Sequence, residues 1–206
     1  MRTSAVASLF ISVVGSFAVN CGAFALPQFP GELESHYKDL RIDVSKIIET
    51  YACQTCHVNA RPRTNPERNA FGKDVEKTLS DAGLDFAAFE LLDSDSDGFV
   101  NLEEFYLQTA PGLKTESPKG RLILKQDATL ATSLKLEFPA STKCATANVR
   151  VLGGAKAKFE GDFSDEFSFL PKNADPLILT LDGKPAAGTL VLVKCDAEGL
   201  VGSLKF

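Results

Sequence analysis

Between Asp43 and Thr109 the apolar positions recur at helical spacing, and in the second half of the chain they alternate at every other residue. Val44, Ile47, Ile48 and Tyr51 share one face and predict a helix running up to Cys53. Asn65-Pro66 has the form of an N-cap followed by proline in the first turn, with Gly83 as the stop. Phe71, Val75 and Leu79 form the apolar stripe between those signals. Two shorter helices are expected near 85–93 and 102–108, and Ala110-Pro111-Gly112 ends the run.

The period then falls to two. Leu134, Leu136 and Phe138 alternate with Lys135 and Glu137, and Ala155, Ala157 and Phe159 alternate with Lys156, Lys158 and Glu160. VRVLGG, FSFLP, LILTLDG and TLVLVKC complete six or seven strands separated by glycine, proline and aspartate turns. The expected fold class is α + β in separate modules. A small all-α domain covers residues 26–112, a polar linker covers 113–120, and an all-β sandwich domain covers 121–206.

Residues 1–25 stand apart from both modules. A single basic residue, Arg2, precedes an apolar stretch that closes on Ala23-Phe24-Ala25, the pattern of a cleavable signal peptide. A lipid-modified Cys21 is the rival reading, but Asn20 stands where such a site wants a small residue. No later apolar run approaches the ~20 residues of a membrane helix, so no integral membrane span is expected after cleavage. The expected location is periplasmic or extracellular. Cleavage removes Arg2 and no acid, taking the formal charge from −5 to −6, which with no basic tract argues against nucleic acid as a partner.

A chain cut after Ala25 keeps Cys53, Cys56, Cys144 and Cys195. Cys144 and Cys195 sit in strands of the β module, and a disulfide between them is expected in an oxidising compartment. It would restrict the unfolded chain by about 4 kcal/mol on the loop-entropy model.

Cys53-Gln54-Thr55-Cys56-His57 is the chain's most specific chemical motif. Two thiols three positions apart at a helix end can both reach the vinyl groups of one haem, and the next residue can offer its imidazole to the iron. A dithiol oxidoreductase would carry the same spacing after a strand in a βαβ unit, which this pattern lacks. A zinc site would need a fourth ligand, and a plain structural disulfide is the bland alternative.

On Cys53, Cys56 and His57 the chain resembles the c-type cytochromes, over about residues 36–80. The resemblance implies covalent haem c and one-electron transfer with a redox partner protein whose identity is unknown. It departs from the common small class in lacking a distal methionine, because the sole methionine is Met1. His36 is then the candidate sixth ligand, and without it the iron would be open to small molecules such as a gas or peroxide. Arg61, Arg63 and Arg68 could pair with haem propionates or form a solvated basic loop.

Residues 93–104 read DSDSDGFVNLEE. Asp93, Asp95, Asp97, Gly98, Asn101 and Glu104 occupy positions 1, 3, 5, 6, 9 and 12 of a calcium loop, with the carbonyl of Phe99 at position 7. Spaced carboxylates suit a hard cation, and Gly98 permits the sharp turn. The loop is similar to that of the EF-hand family, which implies bound Ca²⁺. It has no second loop to pair with, so a structural staple of modest affinity is expected rather than a cytosolic-type switch.

The β module shows no histidine and no serine beside a candidate base, so no catalytic residue is assigned. Three functions follow from these readings. The first is an exported single-haem cytochrome stapled by calcium. The second is a calcium-dependent extracellular binding or surface protein. The third is small-molecule chemistry at an open haem iron.

Overall fold

The computed structural model describes residues 29–59, 67–80, 83–139, 144–171 and 177–206. The segment expected to be a signal peptide, Arg61, Arg63 and Asn65-Pro66 lie outside these residues. The content is mixed helix and sheet, as the two periodicities predict. The helical half holds α1 (Phe29–Asp39), α2 (Ser45–Thr50), α3 (Ala70–Thr78), α4 (Phe86–Glu90) and α5 (Asn101–Leu107). A 3-10 turn at Ala52–Thr55 follows α2, and a two-residue hairpin, β1 (Leu79–Ser80) with β2 (Gly83–Leu84), follows α3.

The expected helix around Phe71 is shorter than its sequence signals. Asn69 is its N-cap, accepting a bond from the Gly72 amide at 2.8 Å through Oδ1. The same side chain donates to the carbonyls of Gln54 and Thr55 at 2.8 and 3.1 Å. That threefold engagement fixes the helix start beside the cysteine motif. At the other end the chain leaves α3 at Leu79, which is exposed at 41% rather than continuing the apolar stripe.

The second half is a pair of facing sheets. One has the order β3 (Gly120–Arg121), β11 (Leu200–Lys205), β10 (Leu190–Cys195), β6 (Ala147–Leu152), β8 (Glu166–Phe169). The other runs β4 (Ile123–Gln126), β5 (Ser133–Glu137), β9 (Leu177–Leu181), β7 (Ala157–Lys158). Leu124, Leu134, Leu136, Leu177 and Leu179 from the second sheet meet Val149, Val151, Val191, Val193 and Cys195 from the first. Cys195 is joined to Cys144, with the Cα atoms 5.8 Å apart, which is the disulfide expected from the sequence. The chain changes sheets at buried Leu122, whose amide bonds the Val201 carbonyl at 2.8 Å.

The helical and β halves share a core. Leu190, Leu192 and Val201 belong to the same buried cluster as Ile47, Phe71, Phe89, Leu102 and Phe105. The alternation along β10 explains this: Val191, Val193 and Cys195 face the other sheet, while Leu190 and Leu192 face the helices. A strand covered on both faces has little room for a polar side, and the first four residues of β10, 190–193, are accordingly all apolar. Polar contacts fasten the same junction. The buried Arg150 guanidinium bonds the Arg41 carbonyl at 3.1 Å and pairs with Glu166, and the Lys194 ammonium stands 4.8 Å over the Tyr106 ring.

Candidate calcium loop and cysteine turn

The loop that joins α4 to α5 folds back on its own carboxylates. Asp93 accepts from the amides of Asp97 and Gly98 at 3.1 and 2.9 Å, and Asp97 accepts from the Phe99 amide at 2.8 Å. Gly98 sits at φ +100°, a backbone geometry that a side chain at this sharp turn would resist. One oxygen from each of Asp93, Asp95 and Asp97 lies within 4.8 Å of the others.

Like charges drawn this close repel unless a cation or protons intervene. Asp95 is 7% exposed and Glu104 fully buried, yet neither oxygen of either carboxylate has a hydrogen-bond partner. The Oδ1 of buried Asn101 is in the same condition, while its Nδ2 donates to the Phe89 carbonyl and to the Ser94 hydroxyl. Buried acceptors without donors are costly, and with Asp97 Oδ2 the loop holds six of them, a donor set of the kind a hard cation takes. Phe99, the predicted carbonyl ligand, follows Gly98 with its ring in the core. The loop thus brings Asp93, Asp95 and Asp97 together, with Asn101 and Glu104 carrying unpartnered buried oxygens on the same segment.

Electrostatics agree with geometry. Burial first, then the charges of Asp95, Asp97, Asp93 and Glu103, push the Glu104 carboxyl up to about 10. Asp95 is raised to about 6 by burial and by Asp97 and Asp93, with Lys114 working the other way. Without a cation, Glu104 is therefore protonated at neutral pH.

The cysteine motif lies on the 3-10 turn. The amides of Cys56 and His57 both bond the Cys53 carbonyl, at 3.3 and 2.9 Å, so the three candidate haem residues occupy one tight turn. Cys53 and His57 are buried at 6% and 5% exposure. Cys56 is a free thiol whose pKa is raised to about 12 by burial, with Arg68 opposing. Cys53 is disulfide-bonded and Cys56 is not, so the two do not pair with each other.

Thioether attachment needs both sulfurs as thiols. Cys56 fits that need, and Cys53 in its disulfide does not. A chain cleaved after Ala25 retains only Cys53 and Cys56 besides the Cys144–Cys195 bridge, which places the motif's two sulfurs at each other's disposal or a cofactor's. The turn packs against a core in which the Phe71 ring meets those of Phe29, Phe89 and Phe105, with centroids 5.5–6.3 Å apart. Among the described residues, that core is filled by side chains.

His36 packs against α4. Its Nε2 is 2.8 Å from the Glu90 carboxylate and its ring stacks on Phe86, with centroids 4.0 Å apart. One ring nitrogen of this candidate iron ligand is engaged by a carboxylate. Arg68 reaches Glu76 at 2.8 Å and so also has a protein partner.

Sequence reasoning missed the residues that brace the loop from outside. The segment expected to be a linker is tied down along its length. The Lys114 ammonium bonds the Ser96 carbonyl at 3.1 Å, and Tyr51, just ahead of the cysteine turn, donates to Glu116 at 2.8 Å. Ser94 donates to Asp74 on α3 at 2.8 Å, joining the loop to the helix that abuts Cys56.

Comparison of the chain with protein-family models, curated proteins and solved structures finds no match. No helix among the described residues is long and apolar enough to cross a membrane.

Proposed function

We propose that this is an exported calcium-binding protein in which one Ca²⁺ stiffens the helical half where it meets the β-sandwich, and the sandwich presents a binding surface. One observation carries the reading: the carboxylates of Asp95 and Glu104 are buried in the loop without hydrogen-bond donors. The EF-hand-like order of the donors supports it, and the Cys144–Cys195 bridge supports an oxidising location. Asp93, Asp95, Asp97, Asn101 and Glu104, with the Phe99 carbonyl, would hold the ion.

Calorimetric titration tests this. One Ca²⁺ per chain is expected, and at pH 7 its binding should release about one proton, because Glu104 must ionise to coordinate. Repeating the titration in buffers of different ionisation heat counts that proton. The same carboxyls fix the pH response of the calcium-free chain. Their folded pKa values lie above the unfolded ones, so their contribution to stability is full below about 4 and is lost as pH rises through about 6 and then about 10. The calcium-free protein should therefore melt lower at pH 9 than at pH 5, and saturating calcium should abolish that trend. A titration without heat or stoichiometry overturns the reading.

A second reading, a single-haem electron carrier, is favoured by the placement of Cys53, Cys56 and His57 on one turn. Haem bound there would supply a one-electron couple, with the two sulfurs as tethers and His57 as the axial base. Because thioether bonds are covalent, haem should remain on the mature chain through denaturation and acid–organic extraction. Changing Cys53 and Cys56 to alanine should remove it. Mature protein without covalent haem, made in a host that attaches haem c, ends this reading.

A further inference from the structure

The candidate calcium loop is gripped from the β half by side chains of two strands. Arg121, in the two-residue edge strand β3, sends two guanidinium nitrogens to the two carboxylate oxygens of Glu103, Nη1 to Oε1 at 3.2 Å and Nη2 to Oε2 at 3.1 Å. Nη2 also donates to the Gly98 carbonyl, and the guanidinium carbon lies 4.8 Å over the Phe99 ring. Glu103 is fully buried, and it accepts two further bonds. The Ser203 hydroxyl of β11 donates to Oε1 at 2.7 Å, and the Val100 amide donates to Oε2 at 3.2 Å.

Each contact falls next to a coordinating position. Gly98 and Val100 flank Phe99, whose carbonyl is the loop's backbone ligand, and Glu103 precedes Glu104. A planar fork that holds both ends of the loop's second half fixes the ligands relative to one another before the ion arrives. The strand bearing it is held to the sandwich by short parallel pairing with Leu200 and Val201. Bonds from the Lys119 amide to the Gly199 carbonyl (2.7 Å) and from the Leu122 amide to the Val201 carbonyl (2.8 Å) flank that pairing. A strand that short has little independent stability, so the loop and the strand steady each other.

We infer that Arg121 is a positioning residue for the calcium site, and that through it ion occupancy and the seating of β3 on β11 form a single equilibrium. This rests on the calcium reading above. Coupling of this kind is reciprocal: if calcium orders the strand, loosening the strand must weaken calcium binding. The device would make the sandwich edge, rather than the helices alone, responsive to calcium.

Removing the positive charge would by itself favour a cation, so the informative substitutions keep the charge constant. Arg121→Lys retains the charge and loses the fork and the stacking over Phe99. Ser203→Ala removes a neutral donor to Glu103 from another strand. Calcium affinity is measured by calorimetry on the mature chain, and backbone amide exchange is followed at Lys119 and Leu122 with and without Ca²⁺. Expected are one ion per chain throughout, an affinity about tenfold weaker in Arg121→Lys, and about threefold weaker in Ser203→Ala. In the unmodified chain, calcium should slow exchange of both amides, and in Arg121→Lys that slowing should shrink. Wild-type affinity in both variants overturns the inference, as does amide exchange indifferent to calcium, while one-ion binding by the unmodified chain would leave the calcium reading standing. Failure of the unmodified chain to bind calcium removes both.

Discussion

Replacing Gly72 by alanine should cost about 3 kcal/mol or more of folding free energy, and the damage should centre on the cysteine turn. A Cβ at this position would stand 2.0 Å from the Cys56 carbonyl oxygen and 2.8 Å from its carbonyl carbon. Both atoms are backbone, so neither can swing aside. The Cys56 carbonyl also accepts the Asn69 amide at 3.0 Å, and Asn69 is bonded to Gln54 and Thr55. Relieving the clash therefore means separating α3 from the turn and giving up that set of bonds. Gly31, in α1, has nothing within 4 Å of its notional Cβ, and alanine there should be neutral or stabilise by up to about 1 kcal/mol. Urea unfolding of both variants is the measurement. A Gly72→Ala midpoint equal to that of the unmodified protein would show that helix and turn are not in contact.

Calcium at about 2 mM, with a dissociation constant of about 10⁻⁴ M as in extracellular loops, should stabilise the folded chain by about 1.8 kcal/mol. For a protein of this size that raises the melting temperature by about 4–7 °C. Glu104→Gln should lose the response, because the bidentate carboxylate has gone. The variant also makes a sharper comparison. With its carboxyl pushed up to about 10, Glu104 is neutral at pH 7 in the absence of calcium, and glutamine closely matches a protonated glutamate in shape. The variant should therefore melt close to the chelated wild type, with or without added calcium. Four identical melting curves would detach the loop from the stability of the fold.

The two periodicities revealed the mixed helix and sheet content, and the candidate calcium loop could be proposed from sequence for a related reason. Its donors lie within twelve consecutive residues, so their spacing alone reports their chemistry. The cap of α3 was misplaced because Asn65-Pro66 and Asn69 both carry cap chemistry. What selects Asn69 is a bond to Gln54 and Thr55, on a segment remote in sequence. Arg121 and Lys114 were invisible as loop partners for the same reason: a cation in a polar stretch carries no mark of the carbonyl it will meet.

One signal was present and not exploited. Leu190-Val191-Leu192-Val193 is unbroken by a polar residue, unlike the alternating strands beside it, and that marks a strand with no solvent face. Read that way, it would have shown that the helices lie on the sandwich. The seating of β11 was harder to anticipate. Gly202 lets that strand approach Leu122 so closely that a Cβ would fall 2.1 Å from its carbonyl oxygen.

The double-sided burial of β10 also sets an order of events. A chain that emerges N-terminus first delivers its helices early, but Leu190, Leu192 and Val201 must arrive before the helical core can close. Until then Phe105 and Leu102 lack their cover, and α5, which flanks the calcium loop, has no sheet to rest on. Contacts spanning that much sequence slow folding and prolong the exposure of apolar surface to other chains. An ion captured by this loop would consequently be captured last, as a seal on a finished molecule rather than a seed for an unfinished one.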